Sequence, residues 1–206
     1  MSDSQTEKLW NLHRRVLVSL IKGKSYPEIR KEYLDEMTGL NYEEILAKAG
    51  NISFDEDHHL VGAYPICPNP SRYRVDVDGI GSGYAMCAVD AIGVAFTFDR
   101  TTTVRAKDMS TGEEIKMVVT PDMTTSPGYN WWMTYKTTCE PGEITALAQC
   151  PAINFHSDKE GIKLGKDMII MDDKESYEYA RERFHYTTLK SRIEDVLKTG
   201  KTISVI

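Results

Sequence analysis

Residues 83–96, GYAMCAVDAIGVAF, constrain the fold more than any other part of the chain. Apart from Asp90, every residue in this stretch is apolar, tyrosine or glycine, so it must lie in the protein interior. The stretch is predicted to form a helix from about residue 83 to residue 94, with Ser82 as the N-cap. A buried strand is the alternative, because periodicity does not separate helix from strand in so apolar a run.

Overall composition indicates a globular protein with a substantial core. Of the 206 residues, 41% are hydrophobic and 27% are charged, and the net charge is −6. A negative chain is a poor general binder of nucleic acid, since phosphate contacts require positive charge. No apolar run approaches the roughly 20 residues of a membrane span, and MSDSQTEKLW lacks the pattern of a signal peptide. We therefore expect a cytoplasmic protein without nucleic-acid or membrane partners.

Residues 1–70 are predicted to form a helical, winged-helix-like region. Three helices are expected in EKLWNLHRRVLVSLIKG, SYPEIRKEYLDEM and NYEEILAKAG, followed by a hairpin in NISFDEDHHLVGAY. Capping boxes are expected where the second and third helices begin, at Ser25 with Glu28 and at Asn41 with Glu44. Because the third helix opens with Glu43 and Glu44, which would face phosphates, the region is interpreted as a scaffold rather than a DNA reader.

Residues 71–206 are predicted to form an α+β catalytic core with a mostly antiparallel sheet. Alternating apolar and polar residues indicate strands in YRVDVDG, TTTVRAKD, EEIKMVVT and YNWWMTYKTT, and ITALAQCPAINFHS and DMIIMD are expected to continue the sheet. A long helix is predicted in KESYEYARERFHYTTLKSRIEDVL, with its charged residues facing solvent. The apolar stretch would be a buried helix between these strands.

The four cysteines, Cys67, Cys87, Cys139 and Cys150, are interpreted as free thiols. Disulfides are typical of small secreted domains, and no C-x-x-C pair suggests a zinc site. If residues 83–94 form a helix, Cys87 and Asp90 share one face, with a thiolate favoured near the helix N-terminus. A buried Asp90 would have a raised pKa and could donate a proton near neutrality. The alternative is a structural cysteine beside an aspartate that binds the backbone.

Several segments resemble the organomercurial (alkylmercury) lyase family. YAMCAVDA is similar to the Y-A-x-C-A-x-D segment of that family, and QCPAINFHS is similar to its segment with the second catalytic cysteine. DEDHHLVGAY and TTTVRAKDMSTGEEIKMVVTPD resemble the flanking strands and turns. The resemblance extends over roughly residues 7–160, with the N-terminal helices similar only in outline.

The resemblance implies an enzyme of mercury resistance and detoxification. Such an enzyme cleaves a carbon–mercury bond by protonolysis, with Cys87 and Cys150 as thiolate ligands and Asp90 as proton relay and further metal contact. Mercury is soft and favours thiolates. The implied partners are a small organometallic substrate and, as acceptor of Hg(II), a low-molecular-weight thiol or a mercuric reductase-like protein. No organic cofactor is expected.

Two positions depart from the family pattern, since Asp108 and Pro151 stand where family members often have further cysteines. These differences leave open another organometal, such as an alkyl tin, lead or arsenic species, or a role in selenium metabolism. A non-catalytic thiol protein that binds or transfers a soft metal is the alternative from another functional class, and a winged-helix regulator is a third.

The remaining candidates are assigned more modest roles. His58 and His59 are expected in a turn, His156 as a structural histidine, and Cys67 and Cys139 as buried or idle thiols that could otherwise pass metal to the site. Trp131 and Trp132 could line an apolar pocket, but only one of two adjacent strand residues should face inward.

Overall fold

The computed structural model describes residues 3–122, 131–140 and 143–203. Its helices are α1 (Asp3–Ile21), α2 (Tyr26–Glu32), α3 (Leu34–Gly39), α4 (Tyr42–Lys48), α5 (Ala88–Phe98), α6 (Thr145–Ala148), α7 (Asp173–Phe184) and α8 (Tyr186–Thr199), with a 3₁₀ helix at Cys150–Ala152. Its strands are β1 (Ile52–Phe54), β2 (Leu60–Ala63), β3 (Ile66–Cys67), β4 (Tyr73–Val77), β5 (Gly81–Ala85), β6 (Thr102–Lys107), β7 (Glu114–Val119), β8 (Trp132–Lys136), β9 (Asn154–His156) and β10 (Met168–Asp172). Among the described residues, no helix is both long and apolar enough to cross a membrane.

The strands form two antiparallel sheets, which confirms the predicted α+β class. Seven strands lie in the order β1-β2-β3-β5-β4-β6-β7, and three lie in the order β10-β8-β9. The first sheet includes the hairpin of residues 52–63, so hydrogen bonding continues across residue 70. The division into regions 1–70 and 71–206 stays a prediction.

The N-terminal helices follow the sequence pattern with two differences. The second predicted helix is divided at Tyr33 into α2 and α3. The capping box of Ser25 and Glu28 is confirmed, with the Ser25 backbone N–H donating to Glu28 Oε2 over 2.8 Å. The box predicted at Asn41 is wrong, because Asn41 has a φ of 50° and Glu44 instead accepts from Lys48.

The predicted start of the buried helix is also wrong. Ser82 lies in β5, which pairs with β3 and β4, and α5 begins only after Cys87. Gly83 permits this strand to pass close to α1, since a Cβ atom there would lie 3.0 Å from the Cα of Ile21. Residues 81–85 are thus held by the sheet, and only residues 88–98 are free to form a helix.

Helix α5 occupies the centre of the molecule. All eleven of its residues are buried, because β4, β5 and β6 pack on one side of it and α7 packs on the other. At Gly93 the two helices are so close that a Cβ atom would lie 2.3 Å from Cδ2 of Phe184. This packing keeps water away from the first turn of α5.

Two C-terminal segments differ in detail from the prediction. ITALAQCPAINFHS was expected to be strand, but it forms α6, the 3₁₀ helix and only the short strand β9, with Pro151 inside the 3₁₀ helix. The predicted C-terminal helix is present but is divided at His185, whose ψ of 134° interrupts the helical path. His185 then caps α8 by accepting from the backbone N–H of Thr187. Residues 129–130 of the predicted fourth strand lie outside the described residues.

Candidate active site

Cys87 and Asp90 meet at the N-terminus of α5. Cys87 is the N-cap residue with extended backbone, and Asp90 is the third residue of the helix. This spacing is that of a capping box, in which the carboxylate turns back toward the N-cap. The Cys87 thiol donates to Asp90 Oδ2 with an Sγ–Oδ2 distance of 2.8 Å, and the Cys87 backbone N–H also bonds the carboxylate. The helix start therefore fixes thiol and carboxyl against each other.

Cys150, in the 3₁₀ helix that precedes β9 of the three-stranded sheet, lies close to Cys87 and Asp90. Its sulfur lies 3.9 Å from Asp90 Oδ2, and the two sulfur atoms and a carboxylate oxygen all lie within 4.8 Å of one another. Within the described ranges, this is the one group of three or more His, Cys, Asp or Glu side chains close enough to share a metal ion. All three residues are buried. These three side chains provide two soft ligands and one acid to a single metal ion or small molecule.

The chain around Cys150 is held in place by polar contacts to both sheets. The Tyr73 hydroxyl on β4 donates to the carbonyl of Ile153 and lies 2.8 Å from Asn154 Oδ1. The Thr134 hydroxyl on β8 donates to the carbonyl of Ala152, and the Ala88 backbone N–H donates to the carbonyl of Ile153. The second thiol is thus positioned by a braced turn rather than by a free loop.

Burial sets the protonation of Asp90. The side chain is 1% exposed, and removal from water raises the pKa of the carboxyl from its ordinary 3.8 to about 7. The hydrogen bond from Cys87 and the positive charge of Arg183 act in the opposite direction but do not cancel the burial. Oδ1 of Asp90 has no hydrogen-bond partner among the described residues. Asp90 can therefore both hold and release a proton near neutral pH.

The Cys87 thiol is protonated in the resting protein. Burial, followed by contact with Cys150 and the charge of Asp90, raises the pKa of Cys87 well above its ordinary value. The thiolate expected from the helix dipole is therefore wrong, because the dipole effect is smaller than the cost of burying the charge. A bound metal would have to displace this proton, and Asp90 Oδ2 already accepts the S–H bond.

A polar chain from α7 extends toward the site and was missed by the sequence analysis. Arg183 Nη1 donates to the Tyr179 hydroxyl over 3.3 Å, and that hydroxyl lies 2.5 Å from the hydroxyl of Tyr135. Gln149, the residue before Cys150, donates to Tyr135 from its side-chain amide. The charge of Arg183 lowers the pKa of Asp90. The charged pattern of the C-terminal helix gave no sign that one arginine would face inward.

A cavity of about 600 Å³ adjoins the site. It is lined by Ala47, Gly50, Ile52, Ser53, Phe54, Tyr64, Cys139, Glu140, Glu143, Ile144, Thr145, Arg183, Phe184, Arg192, Thr202 and Ile203. Three of these residues, Tyr64, Cys139 and Arg183, also interact electrostatically with the site. The positive charge of Arg183 lowers the pKa of Asp90. Burial raises the pKa of the Tyr64 hydroxyl, and negative charge on Cys150, Asp90 or Cys87 raises it further. Tyr64 and Arg183 thus line the cavity and lie close enough to the reactive groups to interact with their charges.

The other candidate residues lie outside the cluster. His58 and His59 are at the β1–β2 turn, as predicted. His156 is a buried, hydrogen-bonded residue, with Nδ1 2.8 Å from the Ser110 hydroxyl. Cys67 is a half-buried thiol on β3. Cys139 lines the cavity and is half-buried.

The two tryptophans and Asp108 have structural roles. Trp131 is buried against Phe155, whereas Lys159 covers the ring of the half-buried Trp132, so one of the pair faces inward as expected. Neither lines the cavity. Asp108 is 2% exposed and accepts from the backbone N–H groups of Ser110, Thr111 and Ser157. These bonds join the β6–β7 turn to the end of β9.

Comparisons with known proteins agree with this architecture. Residues 66–164, which contain all three clustered side chains, match the sequence model of the alkylmercury lyase family. The fold is similar to a crystal structure of the mercury-bound form of MerB2, with a TM-score of 0.60 and 17% sequence identity, over 94% of this chain and 93% of that chain. A comparison with curated protein sequences gives no match.

Proposed function

We propose that this protein is an organomercurial lyase, which converts an organomercurial to a hydrocarbon and Hg(II) by protonolysis; the match of residues 66–164 to the sequence model of the alkylmercury lyase family supports this proposal. One observation carries the proposal. Two thiols and a buried carboxyl lie within 4.8 Å of one another. The thiols are soft ligands that suit mercury, and the carboxyl can supply the proton that the carbon atom must receive. The proposed substrate is a small organometallic compound R–Hg–X, where X is a thiolate.

In the first proposed step, the Cys87 sulfur replaces X on mercury. The thiol proton passes to Asp90 Oδ2, which already accepts the S–H bond, and leaves with X as HX. The S–Hg bond forms as the Hg–X bond breaks, and mercury stays Hg(II). Burial of Cys87 does not oppose this exchange, because a neutral thiol is replaced by a mercury–sulfur bond and no buried thiolate charge is left.

In the second step, Cys150 binds the same mercury and the carbon–mercury bond breaks. The Cys150 proton moves to Asp90 Oδ2, which lies 3.9 Å from the sulfur, and Asp90 then delivers it to the carbon. The electron pair of the carbon–mercury bond becomes the new C–H bond, so no redox reagent or organic cofactor is required. Mercury remains between the two sulfur atoms until two external thiols exchange onto it and return both protons to the cysteines.

Asp90 separates a lyase from a thiol protein that only carries a soft metal. A carrier needs the two sulfur atoms but no proton donor. Asp90 carries a pKa of about 7 and an unpartnered Oδ1 atom, which suit a group that gains and loses a proton in each cycle. These properties favour the lyase.

The test is release of benzene from phenylmercury in excess 2-mercaptoethanol, measured by gas chromatography. Cys87→Ser and Cys150→Ser should abolish release, since a hydroxyl is a poor mercury ligand. Asp90→Asn should keep binding the organomercurial but cleave it about 10²–10⁴-fold more slowly, a loss typical of a missing general acid. Cys67→Ser is the matched control and should release benzene at the normal rate.

Mass spectrometry of the Asp90→Asn protein should detect the intact phenylmercury adduct. Full activity in this variant would remove the proton-relay role and favour a carrier. Undiminished benzene release by Cys87→Ser or Cys150→Ser would contradict the shared-metal site.

A further inference from the structure

The cavity beside the site contains two arginines from different helices. Arg183 is near the end of α7 and Arg192 is in the middle of α8. Both are half-buried, and Arg192 Nη2 donates to the carbonyl oxygen of Arg183 over 3.1 Å. The contact holds the Arg192 side chain against the backbone of Arg183, and both residues line the cavity.

Arg192 contributes a positive charge to the wall of the cavity. Arg192 makes no ion pair with a carboxylate in the part of the chain that the structure describes. Burial, followed by repulsion from Arg183, lowers the pKa of Arg192 from its ordinary value to about 10, so the guanidinium stays charged at neutral pH. Among the described residues that line the cavity, Glu140 and Glu143 carry carboxylates, and both residues are exposed. The Glu143 carboxylate accepts a hydrogen bond from the backbone N–H of Glu140 in the same turn. An anion that enters between the arginines would relieve their repulsion.

The remaining walls are suited to a hydrocarbon. Ile52, Phe54, Ile144 and Phe184 supply apolar surface. Tyr64, which is 6% exposed, also lines the cavity. Its hydroxyl has Ser53 nearby but makes no hydrogen bond of normal geometry to any residue that the structure describes. Because Tyr64 and Arg183 line the cavity and also interact electrostatically with Asp90 and the thiols, a ligand whose anionic end lies at the arginines would extend from there toward the site.

We propose that this cavity binds the carboxylate of the molecule that brings mercury to the site, with Arg192 and Arg183 as the anion-binding pair. This inference rests on the proposed lyase function and names its substrate class. The carboxylate has two possible sources: the organic group on mercury, as in 4-mercuribenzoate, or the thiol that occupies the other mercury position. Guanidinium groups are well suited to both, because they bind carboxylates through two parallel hydrogen bonds.

Binding of benzoate tests the anion site without any mercury chemistry. Isothermal titration should detect benzoate but not the neutral benzamide. Arg192→Gln should weaken benzoate binding about tenfold or more, the loss expected for a charge-assisted hydrogen bond, and Arg192→Lys should retain part of it. Arg181→Gln, at an exposed arginine of α7, is the matched control and should leave the affinity unchanged. Equal binding of benzoate and benzamide, or no effect of Arg192→Gln, overturns the proposal even if the protein is an active lyase.

Kinetics then distinguish the two carboxylate sources. Arg192→Gln should raise KM about tenfold with kcat nearly unchanged, because the contact is remote from the reacting bond. A rise for 4-mercuribenzoate with 2-mercaptoethanol assigns the carboxylate to the organic group. A rise for phenylmercury with 3-mercaptopropionate assigns it to the thiol. The fully neutral pair, phenylmercury with 2-mercaptoethanol, should be unaffected, and an equal loss there would show a structural defect and contradict the proposal.

Discussion

Replacing Asp90 by asparagine should stabilise the fold at alkaline pH. In the folded protein the pKa of Asp90 is about 7, whereas an unfolded aspartate has its ordinary 3.8. The folded state therefore binds more protons between these values, and stability falls as the pH rises through this range. The difference of about three pKa units corresponds to about 4 kcal/mol lost by the wild type at pH 8 and absent below pH 4. Asparagine does not titrate and avoids this loss.

The assay is urea unfolding of both proteins at pH 4 and pH 8, followed by tryptophan fluorescence. The free energy of unfolding of Asp90→Asn relative to the wild type should increase by about 4 kcal/mol between the two pH values. The substitution alters the hydrogen bond from the Cys87 thiol at both pH values. This shifts the free energy of unfolding of Asp90→Asn by a similar amount at pH 4 and pH 8, so it does not affect the difference between the two pH values.

Asp108 supplies a matched comparison, because it is another buried aspartate with the opposite shift. Hydrogen bonds from Ser157 and the turn lower its pKa in spite of burial, so its carboxylate stabilises the fold above the ordinary pKa. Asp108→Asn should therefore be less stable than the wild type at pH 8. A relative stability of Asp90→Asn that does not vary with pH would refute the burial argument for that acid.

Two further predictions concern stability. Burial lowers the pKa of His13 from 6.5 to about 3, so this imidazole gains a proton on unfolding in acid and lowers stability by about 2.5 kcal/mol between pH 7 and pH 4.5, against the gain from Asp90 over the same range. In urea unfolding, His13→Gln should become more stable relative to the wild type by that amount as the pH falls, and a difference that does not vary with pH would refute the burial argument for His13. Gly93→Ala would place a methyl group against Phe184 and should lower the free energy of unfolding by about 3 kcal/mol, whereas an unchanged urea midpoint would show that α7 moves aside freely.

The sheet could be predicted because exposed and buried residues alternate along its strands. In YRVDV of β4, for example, Tyr73, Val75 and Val77 are buried and the residues between them are more exposed. The start of α5 could not be predicted from periodicity. The composition of residues 83–85 fits a strand or a helix equally well, and pairing with β3 and β4, which is a tertiary interaction, places these residues in a strand.

The site could be predicted only in part. The Cys87–Asp90 pair follows from local spacing, which brings the two groups together at the helix start. Cys150 was selected through the resemblance to a family, because nothing local relates it to a residue 63 positions earlier. Arg183 was not found, since its inward position depends on how α7 packs against α5. Single charged residues in a charged helix give no indication of such packing.

The two thiols lie on segments next to different sheets, and this has a consequence for product release. Cys87 follows a strand of the seven-stranded sheet, and Cys150 precedes a strand of the three-stranded sheet. A mercury ion held by both sulfur atoms would be a reversible cross-link that closes a long loop, comparable in its effect on the unfolded chain to a disulfide. The product would thus lock the enzyme that made it, and each turnover would end with an incoming thiol cutting this cross-link one sulfur at a time.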